Sequence, residues 1–207
     1  RYIRIARIKD MEPERLFKRK IYDRLLQWKE SSNGKSALLI EGARRIGKST
    51  IVKAFARNEY ESFIFIDFTK CSQEVKNLFN DVSDLNYIFL RLQLAYGVQL
   101  VERKSLIVFD EVQFQPLARQ AIKSFVEDHR YDYIETGSLI SIRKNTDKIL
   151  IPSEEERICM YPMDYEEFRW ALGDSATVPL LRSVWEHPQP LKEVHRKLMR
   201  DFRLYVL

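Results

Sequence analysis

The sequence predicts an α/β fold: a mainly parallel five-stranded sheet with helices on both faces, followed by a small helical lid or subdomain. Three observations carry this. Short apolar runs such as Ala37-Leu38-Leu39-Ile40, Phe63-Ile64-Phe65-Ile66 and Leu106-Ile107-Val108-Phe109 alternate with amphipathic helical patterns, the spacing of βαβ units. The first run leads into a glycine-containing turn, Gly42-Ala43-Arg44-Arg45-Ile46-Gly47-Lys48-Ser49-Thr50, that opens a helix. Beyond Pro162 the strands stop, and helical patterns interrupted by Gly and Pro take over.

Taken in order, residues 1–34 read as an arm and a helix, 35–163 as the sheet domain, and 164–207 as a helical lid or the start of a truncated further domain. Residues 1–8 mix alternating apolar residues with a basic residue every third position, so neither strand nor helix wins. Pro13 opens a helix with Phe17, Ile21, Leu25 and Trp28 on one face, ended by Ser31-Ser32-Asn33-Gly34. After the glycine turn, Ile51, Val52, Phe55 and Ala56 mark the inner face of a second helix. The second strand ends at Asp67. Asp84 is placed to cap a helix whose core stripe is Leu85, Ile88, Phe89, Leu92 and Tyr96. The third strand ends at Asp110-Glu111, and Pro116 starts a helix with Leu117, Ala121, Ile122 and Phe125 inward. A fourth strand runs from Tyr131 through Thr136-Gly137-Ser138, and Ile158 to Tyr161 make a fifth. Residues 164–172 look helical, 173–190 are broken by four Gly and Pro residues, and 191–207 form an amphipathic helix with Val194, Leu198, Phe202 and Tyr205 on one face.

Residues 42–49 fit G-x-x-x-x-G-K-[ST] position for position, which makes the fold class that of a P-loop NTPase. A loop that wraps β- and γ-phosphates needs glycines where its backbone turns, with its N–H groups free to point inward. Gly42 and Gly47 supply that freedom. Ala43, Arg44, Arg45, Ile46 and Thr50 complete the cradle, Lys48 sets a charge between the phosphates, and Ser49 offers a hydroxyl to Mg²⁺. Hydrolysis also needs a metal anchor and a group that activates water. Asp110 and Glu111 supply both types, at the strand end on the edge that presents the loop in a parallel sheet. Thr136 and Ser138 end a neighbouring strand, where a hydroxyl reaches a γ-phosphate or the attacking water. Arg157 and Arg143 flank strand ends, where a guanidinium stabilises transition-state charge. His129, His187 and His195 show no metal-ligand spacing and are assigned structural or solvent roles.

Composition narrows the class. The chain is 45% hydrophobic and 12% aromatic over 207 residues, ample for one sizeable core. No apolar run reaches bilayer length and no leader opens it, so a cytoplasmic location and no membrane contact are expected. Cys71 and Cys159 suit neither a disulfide nor a zinc framework. The net charge of +5 lies wholly within residues 1–20, so nucleic-acid binding would rest on that arm alone. Neither the guanine-reading N-K-x-D nor the transporter signature L-S-G-G-Q occurs, which favours an adenine nucleotide.

The phosphate loop, the Asp110-Glu111-Val112-Gln113 box, Thr136-Gly137-Ser138 and Tyr161-Pro162-Met163-Asp164-Tyr165-Glu166-Glu167-Phe168 together resemble the prokaryotic AAA+-type ATPases whose P-loop domain is usually followed by a C-terminal domain of unknown function. The resemblance implies a sensor strand between the phosphate-loop and Asp-Glu strands, Thr136 or Ser138 as the sensor, a helical lid, and Arg157 in the place of the family's Gly-Arg arginine, with Glu156 where its glycine is expected. It also implies continuation past Leu207 into a second domain; with Arg1 in place of an initiating Met, a fragment is expected.

The expected function is hydrolysis of Mg²⁺-ATP to drive a conformational change or a partner interaction. The alternatives are a nucleotide-dependent switch with little turnover, a nucleic-acid-associated ATPase using the basic arm, and a small-molecule kinase, which the Asp-Glu pair disfavours. A homo-oligomer, and a protein partner engaged through a further domain, are the expected assemblies.

Overall fold

A computed structural model describes residues 17–138, 154–188 and 190–206. The arm up to residue 16, Pro13 and Arg143 lie outside the described residues. Helix α1 (Ile21–Ser32) leads to β1 (Ala37–Gly42), α2 (Lys48–Glu59) and β2 (Ser62–Asp67). Next come α3 (Gln73–Asn77), a 3₁₀ turn, α4 (Leu85–Tyr96) and β3 (Ser105–Asp110). A second 3₁₀ turn (Val112–Phe114) precedes α5 (Pro116–Gln120), α6 (Ile122–Asp128) and β4 (Asp132–Ser138). Strand β5 (Glu155–Cys159) is followed by α7 (Tyr165–Ala171), α8 (Thr177–Glu186) and α9 (Lys192–Val206).

The five strands pair in the order β2-β3-β4-β1-β5, every neighbouring pair parallel. Strand β4 therefore lies between the strand that feeds the glycine turn and the strand that ends in Asp110-Glu111, as the resemblance implies. Because side chains alternate across a strand, each strand feeds two cores. Leu38, Ile40, Leu106, Val108 and Ile134 pack against α1 and α2, with Leu25, Trp28, Val52 and Phe55. Leu39, Ile64, Ile66, Ile107, Phe109 and Tyr133 pack on the other face against Phe89, Leu92, Ile122 and Phe125. Burial of both faces explains the near-continuous apolar reading of these strands.

Several boundaries differ from expectation. Helix α1 starts at Ile21, and Phe17 stands exposed in the segment before it, because the Arg19 side chain is drawn to the Tyr161 carbonyl and the Lys20 backbone N–H to Glu167 of α7. The helix from Pro116 divides at Ala121, and Leu117 faces solvent. Strand β5 begins three residues early, at Glu155, and ends at Cys159 rather than Tyr161. Its charges hid it: this is an edge strand, paired on one side only with β1, and Glu155 and Arg157 serve an ion-pair cluster. Residues 177–186, expected to be broken, form α8. Pro179 sits in its first turn, where a missing N–H costs nothing.

That cluster interrupts the apolar face. Arg119 on α5 donates from Nη2 to Glu155 Oε1 at 3.1 Å and lies 3.8 Å from Glu135 Oε2, while Arg157 Nε donates to Glu155 Oε1 at 2.8 Å. Glu135 is fully buried, and neither of its oxygens accepts a hydrogen bond among the described residues. Burial, reinforced by the Glu155 carboxylate and opposed by Arg119 and Arg157, pushes its carboxyl well above the ordinary range. A carboxyl with a raised folded-state pKa keeps a proton that the unfolded chain has already lost, so its contribution to stability falls as pH rises through that window. Glu135→Gln is expected to stabilise the fold by about 1–2 kcal/mol at pH 8, with the gain vanishing near pH 4. Urea melts at the two pH values check this, and destabilisation at pH 8 would mean that the pairing with Arg119 outweighs burial.

The helices after β5 build their own small core. Tyr165 meets Phe202 edge-on at 5.6 Å, Phe168 lies 5.6 Å from Tyr205, and the Tyr205 hydroxyl donates to the Met163 carbonyl. Buried Arg169 donates to Asp174 and Asp201, tying the start of α8 and the middle of α9 to α7. Of the apolar stripe expected on α9, Phe202 and Tyr205 make these contacts, whereas Val194 is exposed. No helix among the described residues is long and apolar enough to cross a membrane.

Candidate active site

The glycine turn leaves β1 at Gly42 and enters α2 at Lys48. Gly42 is required by close approach: a Cβ there would lie 2.4 Å from the Met160 carbonyl oxygen and 2.7 Å from Ile46 Cδ1. Gly47 is required by conformation, with φ of 95°. Gly42→Ala is expected to cost about 2 kcal/mol and lower the melting temperature by roughly 4–8 °C, since the backbone of Met160 must move. A thermal melt checks it, and an unchanged melting temperature would show that the loop yields freely.

Lys48 is buried and donates to the carbonyls of Gly42 at 3.0 Å and Ala43 at 2.7 Å, so its ammonium closes the turn across its own mouth. Burial draws its pKa down, while Glu111 and Asp110 pull it up and Arg44 adds to the lowering. Arg44, Arg45 and Thr50 are exposed at the rim, with Arg45 at φ 64°. Ile46 is half-buried and packs against the core beneath.

Residues 61 positions apart in sequence meet here. Ser49 Oγ donates to Asp110 Oδ1 at 2.7 Å, and Thr136 Oγ1 donates to the same oxygen at 2.6 Å. Thr136 also accepts from the Glu111 backbone N–H at 3.2 Å, so one buried hydroxyl fixes both acids of the pair. Burial raises the Asp110 carboxyl above its ordinary range, and the two hydroxyls act in the opposite sense. Glu111 adopts a left-handed conformation, φ 56°, which turns the chain sharply off the strand at a cost of about 1 kcal/mol. Its carboxylate accepts from the side-chain amide of Gln113, two residues on in the 3₁₀ turn. Asp67, opposite Asp110 in register on β2, adds a third carboxylate to this edge.

Ser138 is buried at the end of β4, in register with Gly42. Arg157 is not brought to the loop within this chain: it lies mid-strand, in register with Leu39, and its guanidinium is engaged by Glu155. Sequence reasoning missed Arg19. Its Nη1 donates to the Ile46 carbonyl in the phosphate loop at 3.1 Å, and its Nη2 to the Tyr161 carbonyl at 2.7 Å. Flanked by Lys18 and Lys20, it carries no mark that separates it from surface charge. A cavity of about 390 Å³ opens beside it, lined by Arg19, Met160, Tyr161, Pro162, Asp164 and Glu167.

The family described as an AAA domain matches residues 34–169. No curated protein matches the chain. Among solved structures, the Orc1 protein of Aeropyrum pernix, in complex with DNA, is 14% identical with a TM-score of 0.49, covering 80% of this chain and 51% of that one. The chain thus spans about half the length of that Orc1 protein. The DnaC helicase loader is 15% identical with a TM-score of 0.43, covering 70% and 93% of the two chains, and C. elegans PCH-2 is 12% identical with a TM-score of 0.40, covering 78% and 46%. The assignment rests on the family match, which spans the sheet and both polar motifs, and on the strand order: the chain belongs to the AAA-domain family of P-loop ATPases.

Proposed function

We propose that this chain binds Mg²⁺-ATP at residues 42–50 and hydrolyses it at Glu111, using the cycle to move the helices after β5 or a bound partner. The observation that supports this most is the convergence of Ser49 and Thr136 on Asp110 Oδ1, which joins the loop, the acid pair and the central strand in one polar centre. Ser49 Oγ and the Asp110 carboxylate are hard oxygen donors. Two of them suit Mg²⁺, which keeps most of its shell for water and phosphate oxygens. When bound, the ion neutralises charge on the β- and γ-phosphates.

The remaining chemistry belongs to the chain. Lys48 exchanges the Gly42 and Ala43 carbonyls for phosphate oxygens, and the N–H groups at the start of α2 take further ones. Asp110, steadied by Thr136, holds the metal side. Glu111 orients and deprotonates the attacking water, and Ser138, in register with Gly42 at the end of β4, lies on the same edge of the sheet. The cavity beside Arg19 adjoins the loop and suits the base and ribose: a Cβ on Gly47 would stand 3.9 Å from both Arg19 Nη1 and Met160 Cε. Arg157, half exposed on the edge strand, is better placed to reach a neighbouring subunit than its own loop, which favours a homo-oligomer.

A second reading, a switch with slow turnover, is favoured by one contact. The Gln113 amide occupies the Glu111 carboxylate, and a base so engaged acts only after that hydrogen bond opens. Calorimetric titration of ATP and GTP, with Mg²⁺ and with excess chelator, tests the binding half of the proposal. ATP is expected to bind at least about tenfold more tightly with Mg²⁺ present, the size of one charge-assisted contact. Absence of ATP binding under both conditions would end the reading.

A further inference from the structure

We infer that Arg19 and Glu167 form a strut through which the phosphate loop and the helices after β5 share one conformational state. This deepens the ATPase reading and rests on it for the role of nucleotide.

Arg19 and Glu167 are both buried, with side chains 8% and 7% exposed, although they lie 148 positions apart in a sequence otherwise rich in solvent-facing charge. Their ion pair, Arg19 Nε to Glu167 Oε2 at 3.2 Å, joins the segment before α1 to the first turn of α7. At its other end the same guanidinium donates to the carbonyls of Ile46 and Tyr161. One planar fork thus touches the phosphate loop, the exit of the edge strand and the first helix beyond the sheet, which a lysine's single ammonium could not do at once.

The grip on Ile46 has a consequence for the loop. In a planar trans peptide the carbonyl and the following N–H point in opposite directions. Holding the Ile46 carbonyl toward Arg19 therefore sets the direction of the N–H of Gly47, the residue at φ 95° whose own carbonyl is held on the helix side by the Ile51 N–H. That N–H is one of the donors a phosphate would use.

The grip on Glu167 is equally built. Glu167 is the closing member of a capping box: its N–H donates to Asp164 Oδ1 at 2.8 Å, and its Oε2 accepts from the Asp164 N–H at 3.1 Å. Its Oε1 accepts from the Lys20 backbone at 2.7 Å. Removing the carboxylate charge thus loosens α7 at its start and leaves a buried guanidinium without its counter-ion, at the end that holds Ile46.

Hydrogen exchange on the full chain, without nucleotide, decides the matter for Arg19→Lys and Glu167→Gln. Glu167→Gln, a change confined to α7, is expected to speed exchange of the amides of residues 44–48 about fivefold, and Arg19→Lys to speed both the loop and residues 165–171 by a similar factor. Added Mg²⁺-ATP is expected to slow exchange in α7 of the wild type, but in the variants only in the loop. Exchange altered in α7 alone by Glu167→Gln would overturn the strut, as would equal protection of α7 by ATP in all three proteins. Should Arg19→Lys fail to fold, Glu167→Gln reads the same coupling from the opposite end. A wild type indifferent to ATP would count against the ATPase reading, while the nucleotide-free comparison would still judge the strut.

Discussion

Glu111→Gln is expected to lower ATP turnover at least about a hundredfold while leaving ATP affinity within about threefold. A positioned general base contributes on the order of 10²–10⁴ in rate, and an amide can accept no proton. The substitution is nearly isosteric, and the turn that places residue 111 depends on its backbone N–H to Thr136, which Gln retains. The left-handed conformation at this position is thus unaffected, and the loss should fall on the chemical step alone. Phosphate release and equilibrium binding measured on the same preparation check both halves. Turnover surviving unchanged would remove Glu111 from the mechanism.

Lys48→Met should act in the opposite way, on binding first. Lys48 is buried at the mouth of the loop, and its charge is what the site offers to phosphate from within the turn. Loss of a hydrogen bond to a charged group costs about 1.5–3 kcal/mol, so ATP affinity should fall roughly 10- to 150-fold. Without nucleotide the variant should be no less stable than wild type, because burial already disfavours the ammonium, as its lowered pKa records. The two carbonyls that Lys48 caps, Gly42 and Ala43, work in the other direction. Calorimetric titration beside a thermal melt separates the effects. Undiminished affinity would mean that phosphate is not held at Lys48.

Much of the sheet was legible because β1 and β3 are buried on both faces and read as apolar runs bounded by turn residues, while β2 keeps Phe63 to Ile66 and β4 keeps Tyr133 and Ile134 as apolar signals. The fifth strand was legible at Ile158 and Cys159, but its first half was not, since this edge carries Glu155, Glu156 and Arg157, whose partners Arg119 and Ser36 lie outside the strand. The cap at Asp84 was visible from local pattern, and the structure places its carboxylate on the Tyr87 N–H. The glycine turn and the acid pair stood out because phosphate chemistry restricts residue types at fixed spacing. What was hidden depends on distant contacts. Arg19 reaches Tyr161 across 142 positions, and no spacing rule foretells that one of three consecutive basic residues turns inward. The left-handed turn at Glu111 was hidden too, because it is stabilised by Thr136 on another strand.

Single-turnover phosphate release from ATP, with the protein in excess, decides whether this site hydrolyses the nucleotide it binds. Mg²⁺-dependent release is expected, abolished by chelator and suppressed by Glu111→Gln. ATP that binds tightly at the phosphate loop in the presence of Mg²⁺, yet remains intact over hours, would contradict it and leave the slow switch as the function of this site.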